Sequence, residues 1–294
     1  MSKPSSKIIF GTMRIDRLNE DQLEECLQTC VEQDIHIIDT ADIYGAGECE
    51  RKLGRVFRRN PSLRDQFFLQ TKCGIRLEDF TWYDLSKEHI IESVNNSLDR
   101  MQVDHIDGLL LHRPDILMDP YEIHQAYDQL LDQGKLSYLG VSNMNENQIE
   151  EINKEVQIYA NQMQLSCSYT AMIDPAFYVN TSEAEAVQRE GDVFHCCQKH
   201  NITIQTWSSL QGRDGRSIFQ DEQLNTVLER LATEKHVTPA AIALAWILAL
   251  PCRMQVVIGT TRPERIVEAA AADKIQLTRK EWYEIYRASG HRLP

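Results

Sequence analysis

The chain has 294 residues, a length that suits one α/β barrel or two ordinary domains. With 31 Lys and Arg against 44 Asp and Glu, its net charge of −13 excludes a nucleic-acid partner, because phosphate contacts need a basic face. No apolar run reaches the roughly 18 residues of a membrane helix and the polar residues 1–7 carry no export signal, so a soluble cytoplasmic protein with no membrane partner is expected. The glycosylation patterns at Asn95, Asn180 and Asn201 then carry no meaning.

Strand-like and helix-like runs alternate along the chain. A strand over 7–13 precedes a helix over about 20–33, a strand over 36–41, a helix over 47–58 and a strand over 67–73. A helix over 86–101, a strand over 106–112, a helix over 120–133 and a strand over 137–143 follow, then a helix over 145–154. Further strands are predicted over 160–165, 202–208 and 255–259, which makes eight. Repeated β–α units imply a parallel sheet with right-handed crossovers. Helix starts support the register: Asp119-Pro120 is a cap with proline at the first helical position, Thr238-Pro239 repeats it, and Thr278 with Glu281 forms a capping box.

Eight strands with helices between them predict a (β/α)8 TIM barrel, whose active site lies at the C-terminal ends of its strands. The alternative, a doubly wound sheet with a nucleotide crevice, would want GxGxxG after the first strand, and Phe10-Gly-Thr-Met-Arg-Ile15 has none. Composition is even, so residues 1–294 read as a single domain. The long irregular stretch Ser166–Gly191 is expected to wall the substrate site.

The eight cysteines show no CxxC spacing, and Cys26 and Cys30 share a helix face with Leu23, Leu27 and Val31. They read as small buried apolar residues in a reduced compartment, Cys73 among them. The nine histidines include no HExxH or His/Cys cluster, so no metal is expected.

Asp39 and Tyr44 lie at the end of the second strand, Lys72 closes the third and His112 the fourth. Apolar runs that each end in a polar group deliver those groups to one end of a sheet. A tyrosine hydroxyl, with a pKa of about 10, is a poor acid at neutral pH. A lysine about 4 Å away is worth up to about 4 kcal/mol to its phenolate, so Lys72 is expected to lower the Tyr44 pKa. Asp39 would keep Lys72 charged, and His112 would hydrogen-bond the same oxygen. A carbonyl oxygen becoming an alkoxide needs a proton donor and fixed hydrogen-bond donors, which this set supplies. Hydrolysis is suited poorly, since no Ser or Cys sits in a nucleophile elbow and no carboxylate pair is suggested.

On Asp39-Thr-Ala-Asp-Ile-Tyr-Gly45, the spaced Lys72 and His112, Gly140-Val-Ser-Asn143 and Val257-Ile-Gly-Thr-Thr-Arg-Pro-Glu-Arg-Ile266, the chain resembles the aldo-keto reductase superfamily from Phe10 to about Ala288. The resemblance implies a barrel that reduces aldehydes and ketones with NADPH through an Asp, Tyr, Lys, His tetrad, here Asp39, Tyr44, Lys72 and His112. It further implies that Ser142, Asn143 and Gln164 hold the nicotinamide carboxamide and that Trp207 stacks on the ring. Ser208, Leu210 and Gly212 would wrap the pyrophosphate, with Thr12 placed in the same cofactor set. Gly259, Thr260, Arg262 and Arg265 would take the adenosine 2′-phosphate, favouring NADP over NAD, and Glu268 the adenine.

Gly259 stands where one branch carries lysine, and Ala269 where it carries asparagine, so a weaker cofactor grip is expected. The chain ends four residues after Gly290, which predicts an open pocket. The substrate is expected to be a small carbonyl compound, its pocket walled by loops around Trp82 and Tyr83, Arg113–Met118 and Ser166–Gly191. A monomer or weak oligomer is expected, since no interface signal is visible. The competing function is an NADP-binding redox sensor or regulatory barrel that turns over slowly.

Overall fold

Eight parallel strands close into a barrel in a computed structural model that describes residues 6–182, 184–187, 191–212 and 214–294. The strands are β1 (Ile8–Gly11), β2 (Ile37–Asp39), β3 (Phe68–Cys73), β6 (Ile106–Leu111), β7 (Leu136–Ser142), β8 (Ala160–Gln164), β9 (Thr203–Trp207) and β10 (Met254–Ile258). Around the barrel the order is β1, β10, β9, β8, β7, β6, β3, β2, so each strand pairs with its sequence neighbour in the barrel and β10 closes on β1. Two short strands, β4 (Ile75–Leu77) and β5 (Thr81–Tyr83), form a separate antiparallel hairpin after β3. The helices are α1 (Glu20–Glu32), α2 (Glu48–Arg59), α3 (Pro61–Arg64), α4 (Lys87–Met101), α5 (Pro120–Asp132), α6 (Glu146–Asn153), α7 (Val193–Lys199), α8 (Glu222–Lys235), α9 (Pro239–Leu248), α10 (Pro263–Ala270) and α11 (Arg279–Ala288).

Alternation along each strand divides the core. On β3, Leu69 and Cys73 join the large apolar cluster shared with the helices, while Phe68 packs on Leu110, Tyr159 and Ala160, a plug inside the barrel. Above that plug the interior is polar. Gln70, Gln162 and Gln205 bond to one another through their side chains, Gln205 reaches Gln255 at 3.1 Å, and the Tyr159 hydroxyl donates to Gln70. Each of these glutamine amides has a partner, which is what makes such a layer tolerable.

The capped helix starts form as the sequence implies: Asp119 accepts from Tyr121, Thr238 from Ala241, and Thr278 with Glu281 closes a capping box. Two further boxes, Asn19 with Gln22 and Asn145 with Gln148, use Asn and Gln in the same geometry.

Two expectations about the rim are corrected. The segment after β3 is not a plain loop, because Ile75 to Leu77 pair with Thr81 to Tyr83. Trp82 is engaged there by the Arg76 guanidinium, 5.2 Å from the ring centroid. The start of Ser166–Gly191 stays beside the cavity, where Ser166 Oγ donates to the Gln211 carbonyl at 2.6 Å, but its middle packs on the C-terminal end of the chain: Tyr286 donates to Asp174 at 2.9 Å and Tyr178 to the carbonyl of Arg292 at 2.6 Å. Residues 183 and 188–190 of that stretch lie outside the described residues.

Candidate active site

Four residues predicted from the sequence come together at the C-terminal ends of β2, β3 and β6. Lys72 Nζ donates to Asp39 Oδ2 at 2.7 Å, to the Thr40 carbonyl at 2.8 Å and to the Tyr44 hydroxyl at 3.1 Å. Asp39 Oδ1 accepts from Gln70 at 2.5 Å and Gln162 at 3.0 Å, so both carboxylate oxygens are occupied. Lys72 is fully buried, and an unpaired ammonium there would cost several kcal/mol. Three donors with three acceptors offset that cost. The His112 ring meets Tyr44 edge-on, with centroids 6.0 Å apart.

Local backbone explains how Tyr44 reaches Lys72 although they belong to different β–α units. After Asp39 the chain crosses the barrel rim, with Asp42 N donating to the Lys72 carbonyl at 3.1 Å. It then turns tightly through Gly45 and Gly47, both at positive φ, which glycine adopts without strain. Gly47 ends this turn at the N-cap of α2.

The electrostatics differ from the sequence expectation at Tyr44. Burial raises its phenol above the ordinary value of 10; Lys72 pulls the other way and Asp39 reinforces the rise. The expected net lowering is therefore reversed, because desolvation of a phenolate outweighs one neighbouring cation. Burial also opposes the Lys72 charge, yet Asp39 and Tyr44 outweigh it and its pKa is raised. His112 is driven down to about 2, mainly by burial and then by Lys72 and Arg113, so it is a neutral imidazole. Its Nδ1 is buried without a hydrogen-bond partner among the described residues.

These groups open into a cavity of about 1080 Å³, at the upper end of ordinary ligand pockets of roughly 300–1,000 Å³ and so roomy enough for a dinucleotide and a small second ligand. Asp39, Tyr44 and His112 line it, while Lys72 stands behind Tyr44. Of the predicted cofactor residues, Thr12, Ser142, Asn143, Trp207, Ser208 and Leu210 also line it, from the ends of β1, β7 and β9. Gly259, Thr260, Arg262, Arg265 and Glu268 line its far end. Asn143 and Ser208 sit just past β7 and β9 at positive φ, which turns the chain at the barrel mouth. Trp207 Nε1 donates to Asn143 Oδ1 at 3.2 Å, and Asn143 Nδ2 to Ser142 Oγ at 2.8 Å.

Gln164 and Gly212 are not brought into the lining. Gln162 is there instead, because the β7–β8 register pairs Ser142 with Gln162 and leaves Gln164 level with Trp207 at the mouth. Both glutamines fall on one strand face by alternation, so only the inter-strand register separates them. Arg14 was also missed: it follows β1 and reaches the Gly259 carbonyl at 3.4 Å. Of the loops expected to wall the substrate end, the lining takes Arg113 but neither Trp82 nor Tyr83, nor any described residue of Ser166–Gly191.

The far end fits a phosphate-bearing group by its own chemistry. Among the described residues, no carboxylate lies within salt-bridge distance of Arg262 or Arg265, and Arg262 stands just before α10 without a side-chain capping hydrogen bond, with Pro263 at the first helical position. Away from the cavity, Glu150, Cys196 and His200 bring possible metal ligands within 4.8 Å of one another, although Glu150 already binds His200 at 2.8 Å and Lys199 at 3.1 Å.

Residues 7–289 match the model of the Aldo/keto reductase family, and the chain belongs to that family. It is 32% identical to a 6-dehydroglucose reductase of Agrobacterium fabrum, over 96% of this chain and 93% of the other. It is 30% identical to the uncharacterized oxidoreductase YcsN of Bacillus subtilis, over 98% and 96% respectively. The fold matches an aldo-keto reductase of Klebsiella pneumoniae solved in complex with NADPH, with a TM-score of 0.76 at 23% identity, covering 96% of this chain and 90% of that one.

Proposed function

We propose that the protein is an NADPH-dependent reductase of aldehyde or ketone carbonyls in which Tyr44 is the general acid. The observation that carries this reading is the Asp39–Lys72–Tyr44 chain of contacts at 2.7 and 3.1 Å, ending beside a neutral His112 in a dinucleotide-sized cavity. When bound, the dinucleotide supplies a hydride to the carbonyl carbon.

The protein's residues handle the oxygen. Tyr44, a phenol whose pKa burial raises still further above 10, is protonated at neutral pH and donates its proton to the forming alkoxide. Lys72, held charged by Asp39, stabilises the phenolate left behind. His112 is neutral and can donate one hydrogen bond to the carbonyl oxygen, polarising it without competing as an acid. Ser142 and Asn143 would orient the carboxamide with Gln162 beside them, and Trp207 would support the ring. Arg262 and Arg265 would bind the 2′-phosphate, which supports NADP over NAD. Residues 1–294 would act as one domain.

The test is loss of NADPH absorbance with a panel of aldehydes, ketones and quinones, on wild type and Tyr44→Phe together. Turnover that disappears in the variant supports the reading. Tight NADPH binding with no turnover of any carbonyl would leave a sensor.

A further inference from the structure

Arg113 directly follows His112, past the end of β6, and lines the cavity. In the barrel order β6 stands four places from β10, the strand leading to Arg262 and Arg265, so the two cationic ends lie across the barrel from each other. Arg113 is therefore remote from the phosphate end proposed for the cofactor and adjacent to the reaction centre. Its guanidinium carbon is 5.9 Å from the centroid of the Trp207 ring, which ends β9, three strands away. Side chains from those two strand ends meet only by reaching over the mouth.

Arg113 has no carboxylate within salt-bridge distance among the described residues, in a chain whose net charge is −13. Many of the other arginines that face the helices are paired, Arg55, Arg59, Arg64 and Arg100 among them. Asp115, two residues on, is taken by the backbone: its oxygens accept from Leu85 N at 3.1 Å and Leu117 N at 2.9 Å. A half-buried guanidinium keeps its donors for a planar oxyanion, which it binds with charge-assisted and often paired hydrogen bonds.

We infer that Arg113 recognises an oxyanion on the substrate, so that the preferred substrates are carbonyl compounds carrying a carboxylate or phosphate a few bonds from the reacting carbon. This rests on the reductase reading above. The chemistry is that of the same reduction: the dinucleotide's hydride goes to carbon, the Tyr44 proton goes to oxygen, and the oxyanion is unchanged.

The experiment compares kcat/KM for succinic semialdehyde against butanal, and for glyceraldehyde 3-phosphate against glyceraldehyde, in wild type, Arg113→Gln and Arg113→Lys. At least one charged member should exceed its neutral partner by roughly tenfold or more in wild type. That ratio should fall toward one in Arg113→Gln and recover in part in Arg113→Lys; the pair that responds identifies carboxylate or phosphate. Calorimetric binding of 4-hydroxybutyrate against 1-butanol should show the same dependence on Arg113 without turnover. Ratios near one in wild type, or a ratio that survives Arg113→Gln, overturn the inference while butanal turnover keeps the reductase reading intact. Failure to reduce any of the four, together with every aldehyde, ketone and quinone of the panel above, would instead remove the reductase reading and this inference with it.

Discussion

Lys72 Nζ lies 3.1 Å from the Tyr44 hydroxyl while its other donors are held by Asp39 Oδ2 and the Thr40 carbonyl. The ammonium is thus aimed at one oxygen, and the energy it contributes appears when that oxygen becomes a phenolate. Tyr44→Phe should lower kcat by about 10²- to 10⁴-fold while changing the dinucleotide Kd by only a few-fold. A parallel loss of cofactor affinity would make Tyr44 structural. Lys72→Met should be harsher, because it strands the buried Asp39 carboxylate. Besides losing activity it should destabilise the fold by about 3–5 kcal/mol, read by chemical denaturation.

Arg265 is exposed at the far end of the cavity with no acidic partner among the described residues. If it meets the 2′-phosphate, Arg265→Ala removes a charge-assisted contact that only the phosphorylated dinucleotide makes. The Kd for NADPH should rise about 10- to 100-fold and that for NADH by less than about threefold, by fluorescence titration. Equal losses would assign Arg265 to the shared part of the cofactor.

The barrel was legible because its strands are buried on both faces and its helices are capped by local pairs such as Thr278 with Glu281. The tetrad was legible for a related reason, since Asp39 and Lys72 are charges at the ends of apolar runs and have little other reason to be there. What escaped depended on register or on distant packing. Gln162 and Gln164 share a strand face and differ only in which neighbour they oppose, Ser142 or Trp207. The Ser166–Gly191 stretch looks like a pocket wall in sequence, but Tyr286 and the Arg292 carbonyl, more than a hundred residues away, hold Asp174 and Tyr178 elsewhere. The sign of the Tyr44 shift also escaped, because burial is a property of the whole fold.

Gly54 is where α2 touches α4. A Cβ built there would sit 2.5 Å from the Arg100 carbonyl oxygen and 2.8 Å from that of Met101, both backbone atoms that cannot rotate away. Alanine is the better helix former, so in an exposed helix this change would stabilise. Here Gly54→Ala should destabilise by at least about 1–3 kcal/mol, seen as a lower denaturation midpoint with an unchanged slope. A neutral or stabilising effect would mean that the two helices move apart freely.

Two half-buried groups near the site oppose each other in the pH dependence of stability. Burial, reinforced by Glu50, raises the Asp42 carboxyl from 3.8 to about 7, and its Oδ1 has no partner among the described residues. The native state therefore binds this proton more tightly than the unfolded chain, and the stability it contributes below about pH 4 is lost as pH rises through 7. His112 acts in the other direction. Its pKa falls from 6.5 to about 2, so the unfolded chain takes the proton first and stability is lost as pH falls below 6.5. Between about pH 4 and 6.5 the two slopes cancel. Asp42→Asn keeps the shape and removes only the first, so it should stabilise the protein at pH 8 by on the order of 2–4 kcal/mol relative to wild type and by little at pH 4. Its stability should then climb steeply from pH 4.5 to 6.5, where the contribution of these two groups to wild type is flat. Urea denaturation across that range decides the matter: an Asp42→Asn effect independent of pH would mean that this carboxyl titrates normally in the folded protein.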